Sequence, residues 1–301
     1  MTASELNHRC LSDGSPATSS FRTSLSSRSG ITCAETVVAI FCTVVLLALG
    51  VLFLQGSYNT SRRMRCERTM QKISIGLKNY VEVSEVFPVG TVGSRKLRPE
   101  QRWSWLVGVS ASIFREGHAI YDKQKGWEEA DLGRAQEVKG RLIHLVDIKY
   151  EIGPRLICPE MSIDARSHEP PWTNYVGVAG LGEKIAAAPI TQRQIGVFGY
   201  DRQLTVAQII DGQQTVLMLI ETKKDNGPWV AGGSATLRGL LPDLEQLGPS
   251  AQFGGLHIGG AVAAFADGRV QFMNENVDKQ VFQKLVCVDD ERPIKFEISK
   301  P

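Results

Sequence analysis

Residues 37–54 read Val37-Val38-Ala39-Ile40-Phe41-Cys42-Thr43-Val44-Val45-Leu46-Leu47-Ala48-Leu49-Gly50-Val51-Leu52-Phe53-Leu54, eighteen positions without a charge. As a helix rising 1.5 Å per residue they cover about 27 Å, close to the ~30 Å hydrocarbon thickness of a bilayer. Thr43 is the one polar interruption, so the run lacks the polar face that a surface helix of a water-soluble protein carries. A cleaved secretory signal fits less well. Its apolar region is shorter, about 7–15 residues, and ends at small residues, whereas this run ends in Phe53-Leu54-Gln55. The expectation is a membrane-spanning helix over residues 31–56.

On the N-terminal side, residues 1–29 hold nine serines and little that is apolar. A segment of that composition cannot bury enough surface to order itself, so 1–30 is expected to be a disordered leader. On the C-terminal side, Cys66, Met70, Ile73, Leu77 and Tyr80 recur at spacings of four, three, four and three, an apolar stripe on one helix face. Arg65, Glu67, Arg68 and Lys72 fall on the other face. Only Gly56 and Gly76 interrupt the run before Phe87-Pro88. The pattern therefore predicts an amphipathic extension over 57–88, continuous with the span; two helices with a turn near Gly56 are the alternative.

The whole chain has 301 residues, 43% of them hydrophobic and 22% charged, an ordinary globular balance. Its 34 basic and 32 acidic residues give a net charge of +2, which argues against nucleic acid as the main partner. Six cysteines are too few for a disulfide scaffold. Residues 89–301 read as one α+β domain. Val89–Arg102 is expected to be a loop, and Gln214–Glu221 an interior strand after the Asp211-Gly212 turn. Ala261–Ala266, Asp267-Gly268 and Arg269–Met273 predict a hairpin with a type I′ turn. Asp278–Val286 predicts a short helix with Val281, Phe282 and Leu285 inward. The glycine- and proline-rich stretch 223–255 reads as a long excursion or lid. The expected fold class is α+β: a long N-terminal transmembrane helix packed on an antiparallel, β-rich domain.

Gly30-Ile31-Thr32-Cys33-Ala34-Glu35 directly precedes the apolar run, and this phrase resembles the type IV prepilin signal. The resemblance implies cleavage between Gly30 and Ile31, methylation of Ile31, and Glu35 as the fifth mature residue. An amine at Ile31 and a carboxylate at Glu35 neutralise each other, which lowers the cost of holding either in lipid. Without that amine, the positive end of the helix dipole still favours Glu35 where it stands. Further phrases occur in order. They are Arg62-Arg63-Met64-Arg65-Cys66, Phe87-Pro88-Val89-Gly90, Cys158-Pro159, Thr173-Asn174-Tyr175-Val176-Gly177, Ile210-Asp211-Gly212 with Glu221, and His257 followed after nine residues by Asp267-Gly268. Together they resemble bacterial pilin-like proteins of unknown function that carry a prepilin cleavage/methylation segment and a C-terminal His-x9-Asp-Gly motif. That resemblance implies a pilin-like layout with the C-terminal domain outside the membrane, a prepilin peptidase and membrane lipid as partners, and other pilin-like subunits as candidate neighbours.

Charge argues the other way about orientation. Arg62, Arg63, Arg65, Arg68 and Lys72 follow the span, against Arg22 and Arg28 before it, and basic residues favour the cytoplasmic side. Long domains, however, translocate largely regardless of charge, so the resemblance is followed.

His257 and Asp267 suit an acid–base pair or two metal ligands, but Asp267 already serves a turn, and structural locking of the hairpin by His257, Asp267 and Gly268 is the favoured reading. Absence of CxxC or any sequence-local His/Cys cluster argues against zinc. Given an extracytoplasmic domain, Cys66 and Cys158 are the candidate disulfide, with buried free thiols as the alternative. Gly177-Val178-Ala179-Gly180-Leu181-Gly182-Glu183-Lys184 lacks both the dinucleotide order and a P-loop Ser or Thr after the lysine. No catalytic residue, metal or cofactor is therefore expected, and the chain reads as a structural protein rather than an enzyme. An anchored ligand- or glycan-binding module, with 223–255 shaping its site, is the alternative; a hydrolase using His257 and Asp267 is a weaker one.

Overall fold

A computed structural model describes residues 32–113, 121–129, 152–161 and 171–289, together with the course of strands at 135–138 and 141–144. The expected leader and the Gly30–Ile31 junction lie outside the described residues. The chain divides into two units, one up to Phe53 and one from Leu54 on.

Helix α1, Cys33–Ser84, is a single element of 52 residues. Gly56 does not break it, which removes the two-helix alternative. In the first unit Thr32 stands just before the helix. Its hydroxyl accepts from the Glu35 N–H at 3.3 Å, while its own N–H and O–H donate to the Glu35 carboxylate at 2.8 and 3.0 Å. This reciprocal pairing is a capping box, which satisfies two helix N-terminal groups. Phe41, Leu46 and Phe53 are 67%, 69% and 75% exposed, and the helix is long and apolar enough to cross a membrane.

In the second unit α1 changes character. Cys66, Met70, Ile73 and Leu77 are buried, as the spacing predicts, with Ser74 and Gly76 beside them. The helix ends where Glu85 takes a left-handed conformation, φ +62°, a stop usually given to glycine. Phe87 N–H then donates to Leu204 O at 2.7 Å, drawing the chain into the domain.

Strand β1 (Thr91–Val92) pairs with β2 (Trp103–Ser104), so the expected 89–102 loop contains a short strand. Helices α2 (Trp105–Gly108) and α3 (Ser110–Ile113) follow. Strands β3 (Ala135–Val138) and β4 (Arg141–His144) form a separate antiparallel pair. The main sheet comprises β5 (Tyr175–Leu181), β6 (Leu217–Glu221), β7 (Leu237–Leu240), β8 (Gly260–Phe265) and β9 (Val270–Asn274), in the spatial order β7-β5-β6-β8-β9. All its pairings are antiparallel except β5 with β7, which is parallel.

Both faces of this sheet are covered. Tyr175, Ala179, Val262 and Ala264 join the α1 stripe in one cluster. Val176, Val178, Ala261, Ala263 and Phe265 join Phe282 and Leu285 of α4 (Lys279–Leu285) in the other. A register shift between Leu217 and Leu219 puts Leu217 and Ile220 on the same face. Burial on both sides explains why β6 is an unbroken apolar run rather than an alternating one.

Two expectations are corrected. The 223–255 stretch is not a lid: it contributes β7, and Trp229, Val230, Leu237 and Phe253 are buried. Its parallel pairing lets a glycine-rich segment serve as an edge strand, and no exposed aromatic platform for a glycan remains at Trp229. The β8–β9 connection is a hairpin, but not of type I′. Phe265 O accepts from Gly268 N–H, and Phe265 N–H donates to Arg269 O, both at 2.9 Å. The loop is thus Ala266-Asp267-Gly268, with only Gly268 at positive φ, +92°. That is the three-residue loop with a left-handed last position, one residue longer than a type I′ turn.

Helix α4 follows its expected course. Asp278 caps it, accepting from Gln280 N–H at 2.9 Å and Val281 N–H at 3.0 Å. Asp278→Ala is expected to cost about 1 kcal/mol and lower the thermal midpoint by about 2–4 °C, measured by differential scanning fluorimetry of the detergent-solubilised chain. An unchanged midpoint would show that the cap is idle.

Candidate functional site

Asn174 organises the loop that carries the site. Its side-chain oxygen accepts from Cys158 N–H at 2.8 Å, and its amide donates to Thr222 O at 3.0 Å. Thr173 Oγ1 donates to Leu156 O at 3.1 Å. The Thr-Asn-Tyr phrase at the head of β5 therefore clamps the Cys158 loop against the end of β6. Glu221, the last residue of β6, sits opposite Tyr175 in the register. Cys66 comes from α1, and His257 from the turn leading into β8, bridged to Gly260.

These four segments bring together Cys66, Cys158, Glu221 and His257, all buried, with their donor atoms within 4.8 Å of one another. Cys66 Sγ and Cys158 Sγ are 2.7 Å apart and the thiols are free. His257 Nε2 lies 3.6 Å from Cys158 Sγ and 3.5 Å from Glu221 Oε1. Glu221 Oε1 also accepts from Val262 N–H at 2.9 Å, while Oε2 is buried without a hydrogen-bond partner. The Glu160 N–H points to Cys158 Sγ at 3.5 Å.

The electrostatics are those of a coupled pair. The Cys66 thiol donating to Cys158 lowers the latter, and despite burial the neighbouring His257 and Glu160 N–H help bring Cys158 down to about 6. Cys66 is pushed upward by the same hydrogen bond and by burial. Burial disfavours charge on His257, but Cys158 and Glu221 outweigh it and hold the imidazole up at about 10. Burial raises Glu221 against the opposing pull of His257 and the Val262 N–H. The Tyr175 hydroxyl, which lacks a partner of ordinary geometry, is pushed well above its usual range by burial and then by Cys66. The contacts that lower Cys158 and raise His257 act together, each favouring charge on the other.

A relay triad does not follow. In such a triad the imidazole meets its nucleophile and its carboxylate through opposite ring nitrogens; here Nε2 faces both. What the geometry offers is four soft and hard donors, their ligand atoms within 4.8 Å of one another.

The pairing expected between His257 and the hairpin turn is not found. Asp267 Oδ1 accepts from Arg269 N–H at 3.0 Å, while His257 turns to Cys158 and Glu221. The hairpin is tied to α1 instead, through Ser74 Oγ donating to Gly268 O at 3.0 Å. Sequence reasoning singled out Cys66 and Cys158 together and the structure places them side by side, but it gave no role to Glu221 beyond its place in a phrase. The signal was present: a carboxylate closing an otherwise apolar interior strand has to find a partner. The glycine phrase of β5 serves packing, since Gly180, φ +115°, leaves no room for a Cβ beside the Gln194 carbonyl.

Two clefts adjoin the region. One of about 650 Å³ is lined by Arg65, Arg68, Lys72, Arg155 and apolar neighbours. Another of about 320 Å³, lined by Asn59, Thr60, Arg63, Glu160, Leu256, His257 and Ile258, reaches His257.

No curated protein and no solved structure matches the chain. Residues 59–240, more than half of its 301 residues and including Cys66, Cys158 and Glu221, match the family described as "Protein of unknown function (DUF1559)", and the chain belongs to that family.

Proposed function

We propose that the protein is a single-pass, membrane-anchored structural subunit of pilin-like layout, with residues 89–301 outside the membrane. The observation that carries this reading is the continuity of α1: the helix whose 37–54 stretch is uncharged and apolar but for Thr43 is the same helix whose Cys66–Leu77 face belongs to the domain core. The apolar stretch and the domain face are thus borne by one helix, with no break at Gly56. The Thr32–Glu35 box adds support. It lies beyond the Gly30–Ile31 junction, so cleavage there by a prepilin peptidase leaves the helix cap intact. Membrane lipid and other pilin-like subunits are the partners this reading implies.

Mass spectrometry of the mature N-terminal peptide tests it. A peptide beginning at methylated Ile31 is expected from protein extracted from the native envelope. Recovery of residues 1–30 still joined to Ile31 throughout the membrane pool would rule out prepilin-type maturation.

A further inference from the structure

We propose that Cys66, Cys158, Glu221 and His257 bind one divalent ion of the zinc class, which cross-links α1 to the sheet. Two thiolates, an imidazole and a carboxylate are a donor set suited to zinc. A tetrahedron with metal–sulfur bonds of about 2.3 Å and metal–nitrogen or –oxygen bonds of about 2.0–2.1 Å has sulfur–nitrogen edges of about 3.6 Å and nitrogen–oxygen edges of about 3.4 Å. The Cys158–His257 and His257–Glu221 separations, 3.6 and 3.5 Å, are those edges. The nitrogen–oxygen distance is long for a hydrogen bond, and one N–H cannot serve both acceptors well. The sulfur pair has to open, from 2.7 Å to about 3.8 Å, a movement within reach of cysteine rotamers, and all four donor atoms already lie within 4.8 Å of one another.

Burial gives a second reason. Two thiols, a carboxyl and an imidazole share one buried volume, and a cation bound there compensates the charge its ligands take on as they lose their protons. Glu221 Oε2 is a buried acceptor without a hydrogen-bond partner, on the carboxylate whose Oε1 faces His257. The ligands also have outer supports of the kind that fix metal sites: Asn174 on the Cys158 backbone, the Glu160 N–H on its sulfur, and the Val262 N–H on Glu221. The 320 Å³ cleft at His257 provides a way in from solvent. Four protein donors close the coordination sphere, so the ion is structural. Binding forms two metal–sulfur bonds while the protons held by the sulfur and imidazole groups pass to solvent; no electron is transferred.

The test uses the full chain, purified in detergent with reductant and without chelator. About one zinc per chain is expected by elemental mass spectrometry. Exchange with cobalt(II) should give a thiolate-to-metal charge-transfer band in the near ultraviolet and the visible bands of a tetrahedral ion. Cys158→Ser should abolish the charge-transfer pattern or halve it. Glu221→Gln, which keeps the side-chain shape, should weaken cobalt binding at least about tenfold with an unchanged far-ultraviolet circular dichroism spectrum. The wild-type cobalt spectrum does not depend on any variant folding. Reduced protein that takes up no cobalt, or takes it up without thiolate bands, overturns the proposal. So does envelope-extracted protein that is zinc-free with Cys66 and Cys158 joined in a disulfide.

Discussion

Arginine at both Leu46 and Leu49 is expected to release the chain from membranes. Both side chains are largely exposed, at 69% and 57%, and belong to no core cluster, so their replacement leaves the domain's packing untouched. A charged residue near the bilayer centre costs about 2.5–3.5 kcal/mol on insertion scales, so the pair costs about 5–7 kcal/mol. At about 1.4 kcal/mol per tenfold, that shifts the insertion equilibrium by more than a thousandfold. The fraction of chain that sediments with membranes after alkaline extraction reads the effect directly. Retention equal to wild type would mean that residues 37–54 do not hold the protein in lipid.

Arg202→Ala is expected to produce the largest loss of stability in the domain. The guanidinium is buried and donates to Ile185 O at 2.6 Å, Ala179 O at 2.5 Å, Ala188 O at 3.1 Å and Gly196 O at 3.5 Å, and to Phe198 O. Burial lowers its pKa to about 10, which leaves it charged at neutral pH. It acts as a cationic plug for carbonyls of the loops around β5. Alanine removes the donor these carbonyls share, leaving only Ala179 O and Ile185 O with a backbone N–H among the bonds seen, and opens a cavity, at a cost of about 3–5 kcal/mol. The thermal midpoint should fall by on the order of 10 °C. Lysine should recover only part of this, because an ammonium lacks the planar fork that reaches several carbonyls at once. A fall of less than about 2 °C for alanine would show that the carbonyls find other donors.

The helix was legible because its signals are local. The apolar run fixes 37–54, and the spacing from Cys66 to Tyr80 fixes the buried face, both periodicities of the chain itself. Asp278 with its inward Phe282 and Leu285 was legible for the same reason. Strand β7 was hidden because its pairing with β5 is parallel and non-local, while its own Leu-Arg-Gly-Leu carries neither alternation nor β-branched residues. The hairpin is legible in the sequence and its loop type is not, since whether Ala266 belongs to the strand or the turn is decided by register, which composition does not encode.

The site was the least legible part. Its donors stand at 66, 158, 221 and 257, spacings that no ligand motif describes. His257 and Asp267 are near in sequence, but in the fold each has other partners. Sheet order brings the end of β6 next to the turn before β8, and α1 crosses that point, so proximity arises only once β6, β8 and the helix are assembled.

The central claim is that one helix lies in two solvents, lipid along its first half and protein core along its second. A photoactivatable lipid probe, activated in membranes holding the full chain, tests this most directly. The account predicts labelled peptides from residues 37–54 and none from 66–77. Labelling absent from 37–54, or spread evenly along the helix, would contradict it.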